Sequence, residues 1–312
     1  MNIFYLEWIH KRPTVCEFRN TRPKNFTYHT QINIRGFKNV FEKVDIYGNI
    51  NPEFETYEFS KDPYYTKRSF LISHLQKSIR KMHHDKSIKI AKHIIDLDIS
   101  SLLRRLPIIM FEDVIPHSSL PILIWLLIAS SKGFEFKTNM IQWLLGIVYF
   151  LSSKAKHDEY KKLKSTNIEI IQDKHLTNNQ LTFIKSLYIR ISYGGMKGDM
   201  EMINYFIDFW YERFKNNKSI NDEKIKFITD KLEILPRNKW DLCANDFHCN
   251  PKIIQDIKKQ YDCYSEEYIK KLIWEYSSSI NKRTSPFYNE EDYKDWLIIK
   301  KYVRYLQKNM NF

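Results

Sequence analysis

The chain has 312 residues, 43% of them apolar and 15% aromatic, which is ample material for a core and excludes an intrinsically disordered chain. Its net charge of +13 and pI near 9.3 make a polyanion the first partner to consider. Four irregularly spaced cysteines, Cys16, Cys243, Cys249 and Cys263, exclude a disulfide scaffold, and the N-terminus carries Glu7 with no small-residue cleavage site. An intracellular protein, cytoplasmic or nuclear and not secreted, is therefore expected.

Residues 1 to 62 hold short runs of aromatic and β-branched residues, "NIFYLEWI", "FTYHTQINIRGF", "NVFEKVDIYGNI" and "FETYEF", and read as a small β-containing segment. "YGN" at Tyr47 to Asn49 is expected to be a hairpin turn. This segment is close to neutral, with nine Lys and Arg against eight acids, so the basic excess lies beyond it. "SKDPYY" marks a turn and a boundary, which gives a β-containing segment over 1–62 and a helical domain over 63–312.

From Thr66 the period becomes helical. Leu71, Leu75, Ile79 and Met82 recur on one face, and Ser73, Lys77, Arg80 and His84 share another. Residues 67 to 105 carry ten basic and three acidic side chains. The basic face reads either as solvated surface or as a phosphate-contacting stripe of Lys77, Arg80, Lys81, Lys89 and Lys92. In "DISSLLRRLPIIMFEDV", Asp98 or Ser100 is the candidate N-cap, and Pro107 is expected to kink or restart the helix.

"LPILIWLLIAS" and "MIQWLLGIVYFL" are about a dozen residues each, short of the roughly 20 that span a bilayer, and read as two packed antiparallel core helices with no membrane role. "KSLYIRISYGGMKGDMEMINYFIDFWYERF" reads as helix, glycine turn, helix. The C-terminal "EEDYKDWLIIKKYVRYLQKN" places Trp296, Ile299, Val303 and Leu306 on one face, with Lys and Arg on the other. The expected fold is mainly α, a multi-helix orthogonal bundle with a small β-containing N-terminal segment.

Four constellations bear on chemistry. "GGMKGD" offers backbone amides at a helix start, with Asp199 as N-cap or ligand, or is a tight interhelical turn; no G-x-x-x-x-G-K-[ST] motif occurs in the chain. "CANDFHCNP" brings Cys243, Asp246, His248 and Cys249 within seven residues. It lacks the paired spacing of structural zinc, and reads either as an Asp246 and His248 acid/base pair or as a loop capping the next helix. His83, His84 and Asp85 form a helix-ending polar turn. "SSSINKR" at Ser277 to Arg283 offers hydroxyls and two cations that suit a phosphate or a helix end. No metal and no cofactor is expected.

Residues 75–114 resemble the C-terminal helical region of the RarA (MgsA) group of clamp-loader-like ATPases. The resemblance is carried by Lys77, Ser78 and Arg80, then Arg104, Arg105 and Leu106, then Glu112 and Asp113. It covers about 40 residues and implies a helical oligomerisation region of a replication-associated DNA-stress protein. The 60 or so residues upstream cannot hold an ATPase module, so no motor activity is implied. The arginine pair Arg104 and Arg105 and the acidic pair Glu112 and Asp113 are expected to form structural ion pairs about Pro107.

The leading expectation is a non-catalytic DNA- or RNA-binding helical protein, an oligomeric replication or repair accessory factor in which nucleic acid and a second copy of the chain are the partners. Two alternatives stand beside it. One is an enzyme whose site joins Asp199 on the glycine turn to Asp246 and His248. The other is a structural or assembly protein of a large DNA virus or a similar system, suggested by the Lys-, Asn- and Ile-rich composition.

Overall fold

Four short strands open the chain: β1 (Ile3–Trp8), β2 (Val15–Arg19), β3 (Tyr28–Asn33) and β4 (Lys43–Ile50). The structure, a computed structural model, describes residues 2–34, 43–60, 68–158, 175–233, 251–278, 280–284 and 289–309. The strands form one sheet in the order β2-β1-β4-β3, with β1 parallel to β4 and both outer pairs antiparallel. β1 is central and apolar in sequence, and both its faces are covered. Phe4 stacks on Phe18 at 4.7 Å, while Ile3, Tyr5 and Tyr47 cluster together with Val15 and Phe26.

The expected turn at Tyr47 to Asn49 lies instead inside β4. Gly48 serves close packing, since a Cβ there would stand 2.8 Å from the Trp125 ring. The Trp125 indole N–H donates to the Tyr47 carbonyl at 3.1 Å, which fixes the ring over the glycine.

The helices are α1 (Arg68–Arg80), α2 (His84–Asp113), α3 (Leu120–Ser130), α4 (Thr138–Ser153), α5 (Asn178–Ser192), α6 (Lys197–Lys215), α7 (Pro251–Gln260), α8 (Glu266–Ile273) and α9 (Glu290–Asn309), with a π-helical turn at Trp274–Ser278. The architecture is thus a helix-rich mixture of α and β. Among the described residues no helix is long and apolar enough to cross a membrane.

The chain divides into two compact units. Unit 1 comprises Met1–Glu58, Leu102–Gly146 and Asp158–Ile228; unit 2 comprises Phe59–Ser101, Ile147–His157 and Thr229–Phe312. The expected break near residue 62 falls close to the end of the first stretch of unit 1, but the sheet does not stand alone. In unit 1, α3 lies on β1 and β2, and α5 packs on β2, α3 and α6. Phe111 stacks on Phe206 at 4.6 Å, and Phe183 meets both Trp210 and Phe214.

In unit 2, the apolar faces of α7, α8 and α9 close a small core of Ile254, Ile257, Ile269, Leu272, Trp296 and Val303, among others. A polar tie secures α8 to α9. The Tyr264 hydroxyl donates to Asp295, the Tyr268 hydroxyl donates to both Asp292 and Asp295, and Lys271 reaches Asp292 at 2.6 Å.

α2 runs through Pro107 and breaks earlier, at Asp98, whose φ of −167° and ψ of 90° are non-helical. The Asp98 carboxylate accepts from the Ser100 N–H, the Ser101 hydroxyl and Arg68, as an N-cap for the second half of the helix. Burial works to raise the Asp98 pKa, but the hydrogen bonds from Ser101 and Arg68 outweigh it and hold the carboxyl below its ordinary value. That stabilisation is present above the unfolded-state value of about 3.9 and is lost as pH falls through the lower folded value. Asp98→Asn should therefore lower stability at pH 7 by about 1 kcal/mol and flatten the acid limb of stability against pH, measured by urea unfolding.

Gly146 lies in α4 beneath the chain at Ile225 and Lys226, and a Cβ there would come 2.0 Å from the Lys226 carbonyl oxygen. The Ile228 N–H donates to the Gln142 carbonyl in the same crossing. Gly146→Ala is expected to destabilise unit 1 by about 1–3 kcal/mol, because backbone must move to admit a methyl group; an unchanged denaturation midpoint would contradict that packing.

Candidate nucleic-acid interface

α1 is amphipathic in sequence but is covered on more than its apolar face: His74, Gln76, Lys77 and Ser78 are buried with Leu71, Leu75 and Ile79. Lys77 and Lys81 retain only 6% and 8% of their exposure, so neither lies on an open phosphate-contacting stripe. Lys92 is held by Asp96 one turn on, at 2.6 Å. Arg80 and Lys89 are half-buried. The helical period locates one buried face correctly but cannot show that a second face is covered by residues remote in sequence.

α1 ends in a tight left-handed turn. Met82 has φ 58°, and the His83 N–H donates back to the Ser78 carbonyl, an arrangement that satisfies late carbonyls of the helix. α2 starts at His84, whose ring meets Tyr149 of α4 edge-on at 5.7 Å. The α1–α2 connection is Lys81 to His83, and His84 and Asp85 of the expected helix-ending turn instead open α2.

A third segment joins these helix ends. Arg283 donates from Nε to the Lys154 carbonyl at 2.6 Å, from one terminal nitrogen to the Leu151 carbonyl at 2.7 Å, and from the other to the Ile79 carbonyl at 2.9 Å. Beside it, the Lys282 N–H donates to the Arg80 carbonyl. The last carbonyls of a helix lack intrahelical donors, and the guanidinium fork supplies them for α1 and α4 together. The "SSSINKR" segment, as far as it is described, is a helix end in this sense: its arginine is engaged by backbone.

The rim of this junction is strongly basic. Residues 80–89, 151–157 and 280–284 contain Arg80, Lys81, Lys86, Lys89, Lys154, Lys156, Lys282 and Arg283, against the single carboxylate of Asp85. Lys81 is buried and Arg283 is taken up by carbonyls, whereas Lys156 and Lys282 are exposed and the others are half-buried. Two helix C-termini bring about half an elementary negative charge each, and the start of α2 offsets part of that. Lys156 and Lys282 turn to solvent at the edge of these helix ends. The imbalance extends to the whole unit: unit 2 holds 26 Lys and Arg against 17 Asp and Glu, and unit 1 holds 24 against 20.

The other expected site residues fall elsewhere. Asp199 sits in the first turn of α6 and pairs with Arg105 at 2.8 Å, so it is neither the N-cap, which is Met196, nor an open ligand. Arg105 therefore has a partner 94 residues away that the arginine and acidic pairs of α2 did not suggest. Glu112 is half-buried and Asp113 is buried, while Arg104 points to solvent and lends its carbonyl to Arg190. Asp246 and His248, with Cys243 and Cys249, lie outside the described residues.

Arg190 is the residue that sequence reading missed. It is 3% exposed, donates twice to the Arg104 carbonyl and once to the Gly194 carbonyl, and so ties the glycine turn to α2. Pro107 has no N–H to offer the Leu103 carbonyl one turn back, and Arg190 addresses the next carbonyl along, that of Arg104. Burial pushes the Arg190 pKa down to about 10; Arg104 and Arg105 add to the shift and Asp199 opposes it, and the group remains a cation at neutral pH. Among the described residues, no group of three or more His, Cys, Asp or Glu is placed to hold a metal ion.

Comparison with protein-family models, with curated proteins and with solved structures gives no match to this chain.

Arg283→Met is expected to destabilise the chain by about 2–4 kcal/mol, because carbonyls at two helix ends lose a charged donor. Arg283→Lys should recover little, since one ammonium cannot span three carbonyls. Urea unfolding checks both, and a loss below about 0.5 kcal/mol for the Met variant would show that water serves those carbonyls equally well.

Proposed function

We propose that this chain is a non-catalytic nucleic-acid-binding protein that contacts the phosphate backbone through the basic rim where the ends of α1 and α4 meet the start of α2. The observation that carries the reading is the excess of cations over the single carboxylate of Asp85 in the three segments that Arg283 and Lys282 draw together. Arg80 and Lys89 of the expected stripe belong to this rim, which includes Lys86 between them and gains Lys154, Lys156 and Lys282 from sequence-distant segments.

On this reading the helices of the chain form an orthogonal bundle that works in a reducing, intracellular setting, as an oligomeric accessory factor beside DNA or RNA in replication or repair. The resemblance of residues 75–114 to the helical region of RarA-type proteins supports the assembly part of that role.

Anisotropy titrations of the full chain with labelled single- and double-stranded DNA and RNA test the proposal. Six to ten phosphate contacts should weaken binding by about a thousandfold or more between 50 and 200 mM salt. Lys156→Glu combined with Lys282→Glu should leave folding intact, since both side chains are exposed, and should make the log–log salt slope shallower by about two. Binding by this double variant with an unchanged slope would remove the rim from the contact surface, and absence of binding at 50 mM salt would end the nucleic-acid reading.

A further inference from the structure

Unit 1 contains a cavity of about 540 Å³ at the outer edge of the sheet, between β2, the starts of α3 and α5, and the chain after α6. Its apolar surface comes from Val15, Pro121, Ile122, Phe183, Phe214 and Ile220, of which Pro121, Phe183 and Phe214 are buried. Thr14, Ser118, Asn179 and Ser219 are exposed on its rim, and Gln180 is half-buried beside them. An apolar floor with a few hydroxyl and carboxamide groups at one side is the usual composition of a small-molecule site.

No Lys or Arg lines the cavity, although the chain carries +13. Its one carboxylate, Glu17, has one oxygen 2.6 Å from Arg19 and the other accepting from the Asn178 amide at 2.8 Å. Its one thiol, Cys16, is kept protonated by burial and by Glu17. A cation would compete with Arg19 and Asn178 for Glu17, and no Lys or Arg lines the cavity to receive an anion. The carboxamides of Asn179 and Gln180, in contrast, are uncharged hydrogen-bonding groups. Gln180 accepts the Thr177 N–H through its oxygen, which leaves its NH₂ to donate, and Asn179 lines the exposed rim beside it.

We infer that this cavity binds an uncharged heteroaromatic molecule of nucleobase or nucleoside size, with its ring on the apolar floor and its hydrogen-bonding edge toward Asn179 and Gln180. Carboxamides matched to a base edge in this way give a two-point contact that an apolar ring alone cannot make. The site lies within unit 1 and is independent of the phosphate-contact reading of unit 2.

The test is saturation-transfer NMR and thermal shift of the full chain with adenosine, guanosine, cytidine and uridine, and with indole as an apolar probe. At least one nucleoside should bind saturably, and Asn179→Leu should weaken it by about tenfold or more while leaving indole binding unchanged. Ile122→Trp should block both probes by filling the floor; Ser219→Trp, at an exposed rim position, serves if the first variant does not fold. No saturable nucleoside binding at millimolar concentration would overturn the inference. Binding of indole alone would overturn the role of the carboxamides, and nucleoside binding unaffected by either tryptophan would place the ligand elsewhere.

Discussion

One guanidinium sets the geometry on which the rest of the helical junction in unit 2 depends. Arg283 reaches carbonyls of residues 79, 151 and 154, up to 204 residues from it in the chain, and each is at or near the end of a helix. Helix ends accumulate unpaired carbonyls and partial negative charge, and three such groups turned toward one another are unfavourable without a donor between them. A planar fork of N–H groups answers that need in a way that a lysine or a water molecule cannot, because its directions are fixed.

Unit 1 uses the same device at another place. Arg190 is almost fully buried and addresses carbonyls of α2 and the glycine turn, while Arg105 and Arg213 pair with Asp199 and Asp158. Several arginines thus work inside the protein as backbone donors or ion-pair members, and the formal charge overstates the cations available at the surface. At the junction of helix ends in unit 2, Lys156 and Lys282 are exposed. A junction of helix termini, once over-supplied with lysines, is suited to a polyanion without any dedicated groove.

How much of this was legible in the sequence follows from how local each feature is. The strand pattern of "NIFYLEW", the helical character of "LPILIWLLIAS" and the buried positions Trp296, Ile299 and Val303 depend on near neighbours and are legible in the sequence, which also offers Asp98 beside Ser100 as the cap that the structure places at Asp98. Gly48 was misread because a glycine between apolar runs looks like a turn until the Trp125 ring that lies over it is seen. Lys77 was misread because burial on a second face comes from remote residues. The partner of Arg105 and the whole role of Arg190 and Arg283 are long-range, and an arginine in sequence carries no mark of whether it will meet phosphate, carboxylate or backbone. The acid/base pair considered at Asp246 and His248 falls outside the described residues.

The most direct measurement is amide hydrogen exchange of the full chain, followed by mass spectrometry, with and without a single-stranded oligonucleotide at low salt. Slowed exchange concentrated in residues 80–89, 151–157 and 280–284 is the expected result, because a polyanion lying across the rim would tie together the three segments that Arg283 joins. Protection confined to other segments, or none under conditions where the oligonucleotide is bound, would contradict the assignment of this junction as the nucleic-acid interface.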